Sequence, residues 1–282
     1  MINDEIQRHC AEINRCNQRG GRMLSIVDLV DAGTVTRDLA AYSLAVISQG
    51  ASFMVGAVPG GAGKTAVMGA WLNFIPPDVQ LTPAVDASAI EHGINSREQR
   101  FCCICHEIGP GSYYAYLWGS VLRRYFDLSD AGHMLATNLH ADTYVKAQQQ
   151  ICGQNNVSVA AFRRMNLIFF LTVKHPAASR GASLRNPAKP KTPFIPVASH
   201  RAFWRRRVNR KGWSMSRRIT EVWESDGQKE HHQILGSDSI PLIESSRLVS
   251  AGNFAKAKQN INQIMDSGVR TIEDVRSLLL KR

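Results

Sequence analysis

The sequence predicts an α/β fold organised around a central, mostly parallel β-sheet. Three observations carry that expectation. Short apolar runs alternate with stretches of helical character. The run Ser52–Val58 passes through a glycine turn directly into a helical stretch. Phe101–Cys105 is wholly apolar and bounded by charged residues, as a strand buried on both faces would be.

Taken in order, Ser25–Asp31 and Thr36–Gln49 read as two helices separated by a turn at Gly33. Thr34 or Thr36 can cap the second, whose Leu39, Tyr42, Leu44 and Val46 make a mostly apolar face. Ser52–Val58 is the first strand and Thr65–Phe74 the helix after its glycine turn. Val79–Val85 is the second strand, with Pro83 near its end, since proline cannot donate to a ladder. Phe101–Cys105, Met134–Leu139 and Leu167–Val173 follow as the third, fourth and fifth. Between the third and fourth, aromatic-rich Tyr113–Phe126 reads as helical. His175–Ser199 holds five prolines among small and basic residues, the composition of a loop or insertion. Arg218–Glu224 and His231–Leu235 flank the turn signal Ser225-Asp226-Gly227 as a closing hairpin, and Ile240–Arg282 reads as helices broken near Gly252 and Gly268. The implied organisation is a helical lead-in over 1–50, a core over 51–239 with an insertion at about 175–216, and a helical segment over 240–282.

The chain has 282 residues, 44% hydrophobic and 20% charged, which argues against a disordered or fibrous protein. Its longest wholly apolar run among these stretches, Leu167–Leu171, is far below the roughly 18–20 residues that cross a bilayer. Residues 1–22 are polar and mixed in charge, unlike a secretory signal, and six cysteines in a chain this long do not make a disulfide scaffold. A reduced, cytoplasmic setting is expected. The net charge of +11 is concentrated: Thr143–Thr220 contains sixteen Lys and Arg and no Asp or Glu, while the rest of the chain is mildly acidic. Such a block attracts phosphates, acidic lipid or an acidic protein.

Val58-Pro59-Gly60-Gly61-Ala62-Gly63-Lys64-Thr65 is the most informative stretch. A nucleoside triphosphate needs many donors held close together with no side chain blocking its approach. Glycines allow that, their backbone N–H groups face the phosphates, and the next helix offers its N-terminus. Lys64 would reach the β- and γ-phosphates and the Thr65 hydroxyl would ligate Mg²⁺. The bland alternative is a glycine-rich turn with a surface lysine. The first glycine of the usual pattern is Val58 here.

Hydrolysis further requires a carboxylate beside the phosphates. Glu107 follows the third strand at the carboxyl edge, the ligand edge of an open α/β sheet, and Asp86, after the second strand, is a weaker metal candidate of the same kind. Cys102, Cys103 and Cys105 do not converge on a metal, because alternation sends Cys102 to one face and the other two to the opposite one.

Gly132-His133, an apolar strand and Thr137-Asn138-Leu139-His140-Ala141 complete the pattern. This segment resembles the histidine box of the secretion ATPase superfamily, the motors of type II secretion, type IV pili and conjugation. The phosphate loop and Glu107 fall in that family's order. Arg217-Arg218-Ile219-Thr220-Glu221-Val222 resembles its late strand, and Gly268–Val275 a recurrent helix start near its C-terminus. The resemblance, spanning about Met23 to the end, implies a RecA-like P-loop NTPase core that binds ATP and Mg²⁺, with Lys64 and Glu107 catalytic and His140 sensing the γ-phosphate. It also implies a homo-oligomeric ring, a hexamer in the family, working with membrane-associated secretion or pilus platform proteins, in the cytoplasm or peripherally at the inner face of the membrane. Three positions depart from the family: Val58, Ile108-Gly109 where an Arg-Asp pair is usual, and Gln150 where an arginine is common. They motivate an alternative, a nucleotide-binding scaffold or regulator that does not turn over.

The densest basic stretch lies in the insertion: Arg201, Trp204, Arg205, Arg206, Arg207, Arg210, Lys211 and Trp213. Tryptophans among arginines suit stacking on bases with phosphate contacts, as in a nucleic-acid-stimulated ATPase. They equally suit acidic headgroups, or a solvated loop or contact with an acidic neighbouring protein.

Overall fold

The computed structural model describes residues 2–17, 20–58, 60–174, 215–236 and 242–281. The chain divides into a large unit, Met1–Thr172 with Arg217–Arg282, and a small one, Val173–Ser216, of which only the strand ends are described. The basic and aromatic residues from Arg201 to Trp213, and Pro59 of the glycine turn, lie outside the described residues.

The large unit is an α/β assembly. Its strands are β1 (Phe53–Gly56), β2 (Val79–Pro83), β3 (Arg100–Ile108), β4 (Tyr116–Leu117), β5 (Met134–Leu139), β6 (Leu167–Lys174), β7 (Ser216–Glu224) and β8 (His232–Leu235). They form one sheet in the order β2-β3-β5-β1-β6-β7-β8, with β4 beside the end of β3. The pairs β1–β5, β1–β6, β2–β3, β3–β4 and β3–β5 are parallel, whereas β7–β8 is antiparallel. β7 also runs back along β6: Ser225 N–H donates to the Asn166 carbonyl at one end, and the Thr172 and Thr220 hydroxyls meet at 2.8 Å toward the other. That reversal brings the start of β7 to the carboxyl edge of the parallel strands.

Helices α1 (Ile2–Arg15), α2 (Ile26–Asp31), α3 (Arg37–Ile47), α4 (Lys64–Leu72), α5 (Ala87–Asn95), α6 (Gly119–Asp127), α7 (Tyr144–Gln148), α8 (Val159–Arg163), α9 (Leu242–Ser245), α10 (Ala251–Asp266) and α11 (Ile272–Leu280) surround the sheet. On one face Met54, Cys103, Cys105, Ile108, Leu135 and Phe170 pack against Leu122, Tyr125 and Phe126 of α6. On the other, Trp71 of α4 lies 5.5 Å from Phe169 of β6, ring centre to ring centre. Burial alone pushes the Cys103 thiol up to about 12, a consequence of apolar packing. None of the described helices is long and apolar enough to cross a membrane.

Local chemistry explains the ends of these elements. Thr36 caps α3 by accepting from Leu39 N–H at 3.1 Å, and Ser250 and Thr271 do the same for α10 and α11. As expected, the helices over 240–282 break near Gly252, at 246–250, where Ser250 opens α10, and again at Gly268, which takes the left-handed region at φ 76° between α10 and α11. Tyr113–Phe126 is not one helix: Ala115 takes a positive φ of 53°, β4 pairs with β3, and the helix begins only at Gly119. Four further helices were not expected: α1, α5, and α7 and α8 between β5 and β6. α1 buries Ile6, His9, Cys10 and Ile13, a stripe at helical spacing, and α5 is started by the Asp86 cap.

α1 and α11 close the edge remote from the loop after β1. His9 Nε2 is 3.0 Å from the Leu72 carbonyl, and Arg276, 2% exposed, donates to the carbonyls of Asn73 and Ile75 and to Glu5. Burial first, and the Arg276 charge second, lower the His9 pKa from 6.5 to about 3. The folded form thus stays neutral where the unfolded chain takes up a proton. Stability tied to His9 is complete above pH 6.5 and is lost as pH falls toward 3. At pH 5 the loss is about 2 kcal/mol, from 1.36 kcal/mol per unit. Urea unfolding at pH 7.5 and pH 5 should show it, and His9→Gln should flatten that difference. An unchanged difference in the variant would assign the acid sensitivity elsewhere.

Candidate functional site

The site begins with β1. Its four residues are fully buried between β5 and β6, so the strand delivers the chain to the carboxyl edge of the sheet with its backbone fixed on both sides. Gly61 and Gly63 then adopt φ of 79° and 104°, which L side chains rarely take. Gly63 is the N-cap of α4 and brings no side chain to cap it, so the first turn of the helix presents backbone N–H groups at the loop. Thr65, half-buried, is the second residue of that turn.

Lys64 opens α4 and is nearly buried, at 8% exposure. Its ammonium lies 3.4 Å from the Ala57 carbonyl and 3.3 Å from Glu107 Oε2. The Glu107 side chain is itself only 7% exposed. His140 Nε2 is 3.9 Å from the other carboxylate oxygen, Oε1. Lys64, Glu107 and His140, far apart in sequence, therefore meet at one point.

A β-bulge makes this meeting possible. Cys105 pairs with Thr137, but the next register pair is Ile108 with Leu139, so β3 spends one residue more than β5. Simple alternation would put Glu107 on the face of Cys103 and Cys105, against α6. The extra residue returns Ile108 to that face, where it joins Cys103 and Cys105 in the core, and turns Glu107 to the opposite face, where α4 begins. Asn138 holds the bulge by donating to the His106 carbonyl at 2.8 Å, and His106 N–H donates to Ala115 at 2.8 Å.

Burial raises the Glu107 pKa above the usual carboxylate value; the charges of Lys64 and His140 oppose the rise without cancelling it. Oε1 is buried and has no hydrogen-bond partner among the described residues. A carboxylate oxygen left this way is costly unless a ligand, water or ion completes it.

Other candidates separate. Asp86 is exposed, and its Oδ1 accepts from Ala89 N–H at 2.9 Å, so this carboxylate caps α5. His133 lies at the opposite end of β5 from His140. Its Nδ1 accepts from Phe101 N–H at 3.1 Å and its Nε2 donates to the Gly93 carbonyl at 2.7 Å, which makes it a tie between β3 and α5. Gln150 belongs to a π-helical turn, Gln149–Gln154, and donates to the Ile108 carbonyl at 3.2 Å, one residue past Glu107. Among the described residues no group of three or more His, Cys, Asp or Glu could hold a metal.

Arg217 of β7 is a residue that the sequence placed only in a resemblance and a basic block. Its Nε donates to the Gly61 carbonyl at 3.2 Å. No local signal separates it from Arg218; the reversal of β7 against β6 decides it.

Gly56 shows how tightly the edge is assembled. A Cβ there would stand 2.5 Å from the Ala141 carbonyl, and Ala57 N–H donates to Leu139 at 3.2 Å. Gly56→Ala should force the segment carrying His140 away from β1. A loss of about 1–3 kcal/mol in urea unfolding is expected, the usual cost of overpacking; a loss below 0.5 kcal/mol would mean that the segment yields freely.

Compared with known protein families and with curated proteins, the sequence matches none.

Proposed function

We propose that this chain binds Mg-ATP at the loop after β1 and hydrolyses it, as a RecA-like P-loop ATPase and motor subunit of a secretion or pilus-type machine. The observation that carries the nucleotide reading is the buried Lys64–Glu107 pair, set between a glycine loop at a helix N-terminus and His140. The strand order adds support. β5 lies between β1 and β3, so the residue following it reaches a point between the loop lysine and the strand-end glutamate.

The residues present fit Mg-ATP. The loop supplies uncapped N–H donors, Lys64 a buried cation, and Glu107 an oxygen with no hydrogen-bond partner among the described residues. Thr65 would ligate Mg²⁺ and Glu107 would approach it through water; the ion, when bound, neutralises phosphate charge. In this reading Lys64 leaves Glu107 for the phosphates, and the freed, raised-pKa carboxylate orients and deprotonates the attacking water. His140, exposed and beside Oε1, meets the terminal phosphate and registers its loss. The ring, its platform partners and a place at the inner face of the membrane rest on the motif resemblance and are proposed with it.

The test is ATP binding and steady-state phosphate release by the purified protein, with oligomeric state followed with and without nucleotide. Saturable Mg-ATP binding with phosphate release supports the proposal, and absence of binding overturns it. Tight binding without release would select the scaffold reading. The observation favouring that second reading is that Glu107 pairs with Lys64, while Gln150, an uncharged side chain, stands next to the strand end.

A further inference from the structure

The loop after β1 is approached from two sides. Glu107 and His140 come from the β3–β5 side. From the other side, two strands beyond β1, comes Arg217. Its position follows from β7: Arg217 and Ile219 share a face by alternation, Ile219 is buried with its N–H donating to the Thr34 carbonyl at 3.0 Å, and the antiparallel return along β6 carries Arg217 to the carboxyl edge.

There it rests on the loop at two points. Nε donates to Gly61, and Cδ lies 3.4 Å from where a Cβ on Gly63 would stand. Glycine at 63 thus serves the αL cap and also leaves room for this side chain. An arginine presents five donors in a fixed fork. One is used on the Gly61 carbonyl, and among the described residues nothing bonds to the two Nη groups or pairs with the charge. The side chain is half-buried, which places an unpaired cation at the rim of a loop whose N–H groups also favour anions.

From this geometry we infer that Arg217 is a second phosphate-contacting cation of the site, reaching the bound triphosphate through its Nη groups while Nε holds it to the loop. The inference rests on the nucleotide reading above, whose independent support is the buried Glu107 Oε1, without a hydrogen-bond partner among the described residues. It deepens that reading in one respect. Lys64 already has a carboxylate for a neighbour, so a second cation, free of any acidic partner among the described residues, supplies charge that Lys64 does not deliver by itself. Charge-assisted contacts of this kind are about twice as strong as neutral ones, and an arginine can place two on adjacent phosphate oxygens.

The alternative is that Arg217 only holds the Gly61 carbonyl in place. Three variants separate charge from tie: Arg217→Ala removes both, Arg217→Gln keeps an N–H donor without charge, and Arg217→Lys keeps the charge. Mg-ATP dissociation constants are measured by calorimetry on the full chain, with wild type and Lys64→Ala as references and thermal unfolding to confirm that each variant is folded. Arg217→Ala and Arg217→Gln should bind about tenfold more weakly than wild type, the loss of one charged contact. Arg217→Lys keeps the charge but loses the fork and the Nε bond to Gly61, so it should bind more weakly than wild type and more tightly than Arg217→Gln. Arg217→Gln binding as tightly as Arg217→Lys, or all three variants matching wild type, overturns the contact and leaves the nucleotide reading standing. A wild-type chain that binds no Mg-ATP overturns both.

Discussion

Lys64→Ala is expected to abolish saturable Mg-ATP binding and, with it, all phosphate release above background. The side chain is nearly buried, and its ammonium is held against Glu107 by the helix on which it begins, so another lysine cannot take its place without a different backbone. A second effect should accompany the first. The substitution leaves Glu107 buried without its cation, and removing one partner of a buried pair costs on the order of 3 kcal/mol. The double variant Lys64→Ala/Glu107→Gln should recover most of that stability in urea unfolding without recovering binding. Nucleotide binding that survives Lys64→Ala would show the loop to be an ordinary glycine turn. A double variant no more stable than the single one would show that the pair contributes nothing to the fold.

Glu107→Gln is expected to separate binding from turnover. The amide is nearly isosteric, so β3, its bulge and the bond from Asn138 to His106 stay in place. The negative charge that competes with phosphate for Lys64 disappears, and Mg-ATP should bind at least as tightly as in wild type. Steady-state phosphate release should fall by about 10²- to 10³-fold, the range associated with loss of a positioned general base. The pH profile offers a further check. Burial raises the Glu107 pKa, so the carboxylate is protonated at pH values where an ordinary glutamate is ionised, and the acid limb of wild-type activity should sit above the usual 4.5. In the variant that limb should vanish. Release unchanged from wild type would remove Glu107 from the chemistry and leave its pairing with Lys64 structural.

How much of this was legible in the sequence depends on the range over which each feature is encoded. The glycine loop is local: residues 60–65 specify their own backbone freedom, and the flanking apolar run and helix follow directly. Asp86 is equally visible, but an Asp just ahead of a helix also serves as its cap, and the bond from Ala89 N–H to Oδ1 at the start of α5 decides for that role. α1 had a readable stripe at Ile6, His9, Cys10 and Ile13, set among charged residues. The two histidines of the Gly132–Ala141 segment carry the same chemistry on paper. The direction of β5 places His140 at the loop and His133 at the far edge, bonded to Phe101 and Gly93.

The sequence by itself determined the α/β class, the glycine loop before a helix and the acidic strand end, because glycine conformation, apolar runs and helix starts act over a few neighbouring residues. Only the tertiary structure decided which face Glu107 occupies, that Arg217 and not Arg218 touches the loop, and that Lys64, Glu107 and His140 share one point. Those outcomes depend on the register of β3 against β5 and on the reversal of β7 against β6. Strand register is a relation between segments distant in the chain, and a shift of one residue turns every following side chain to the other face.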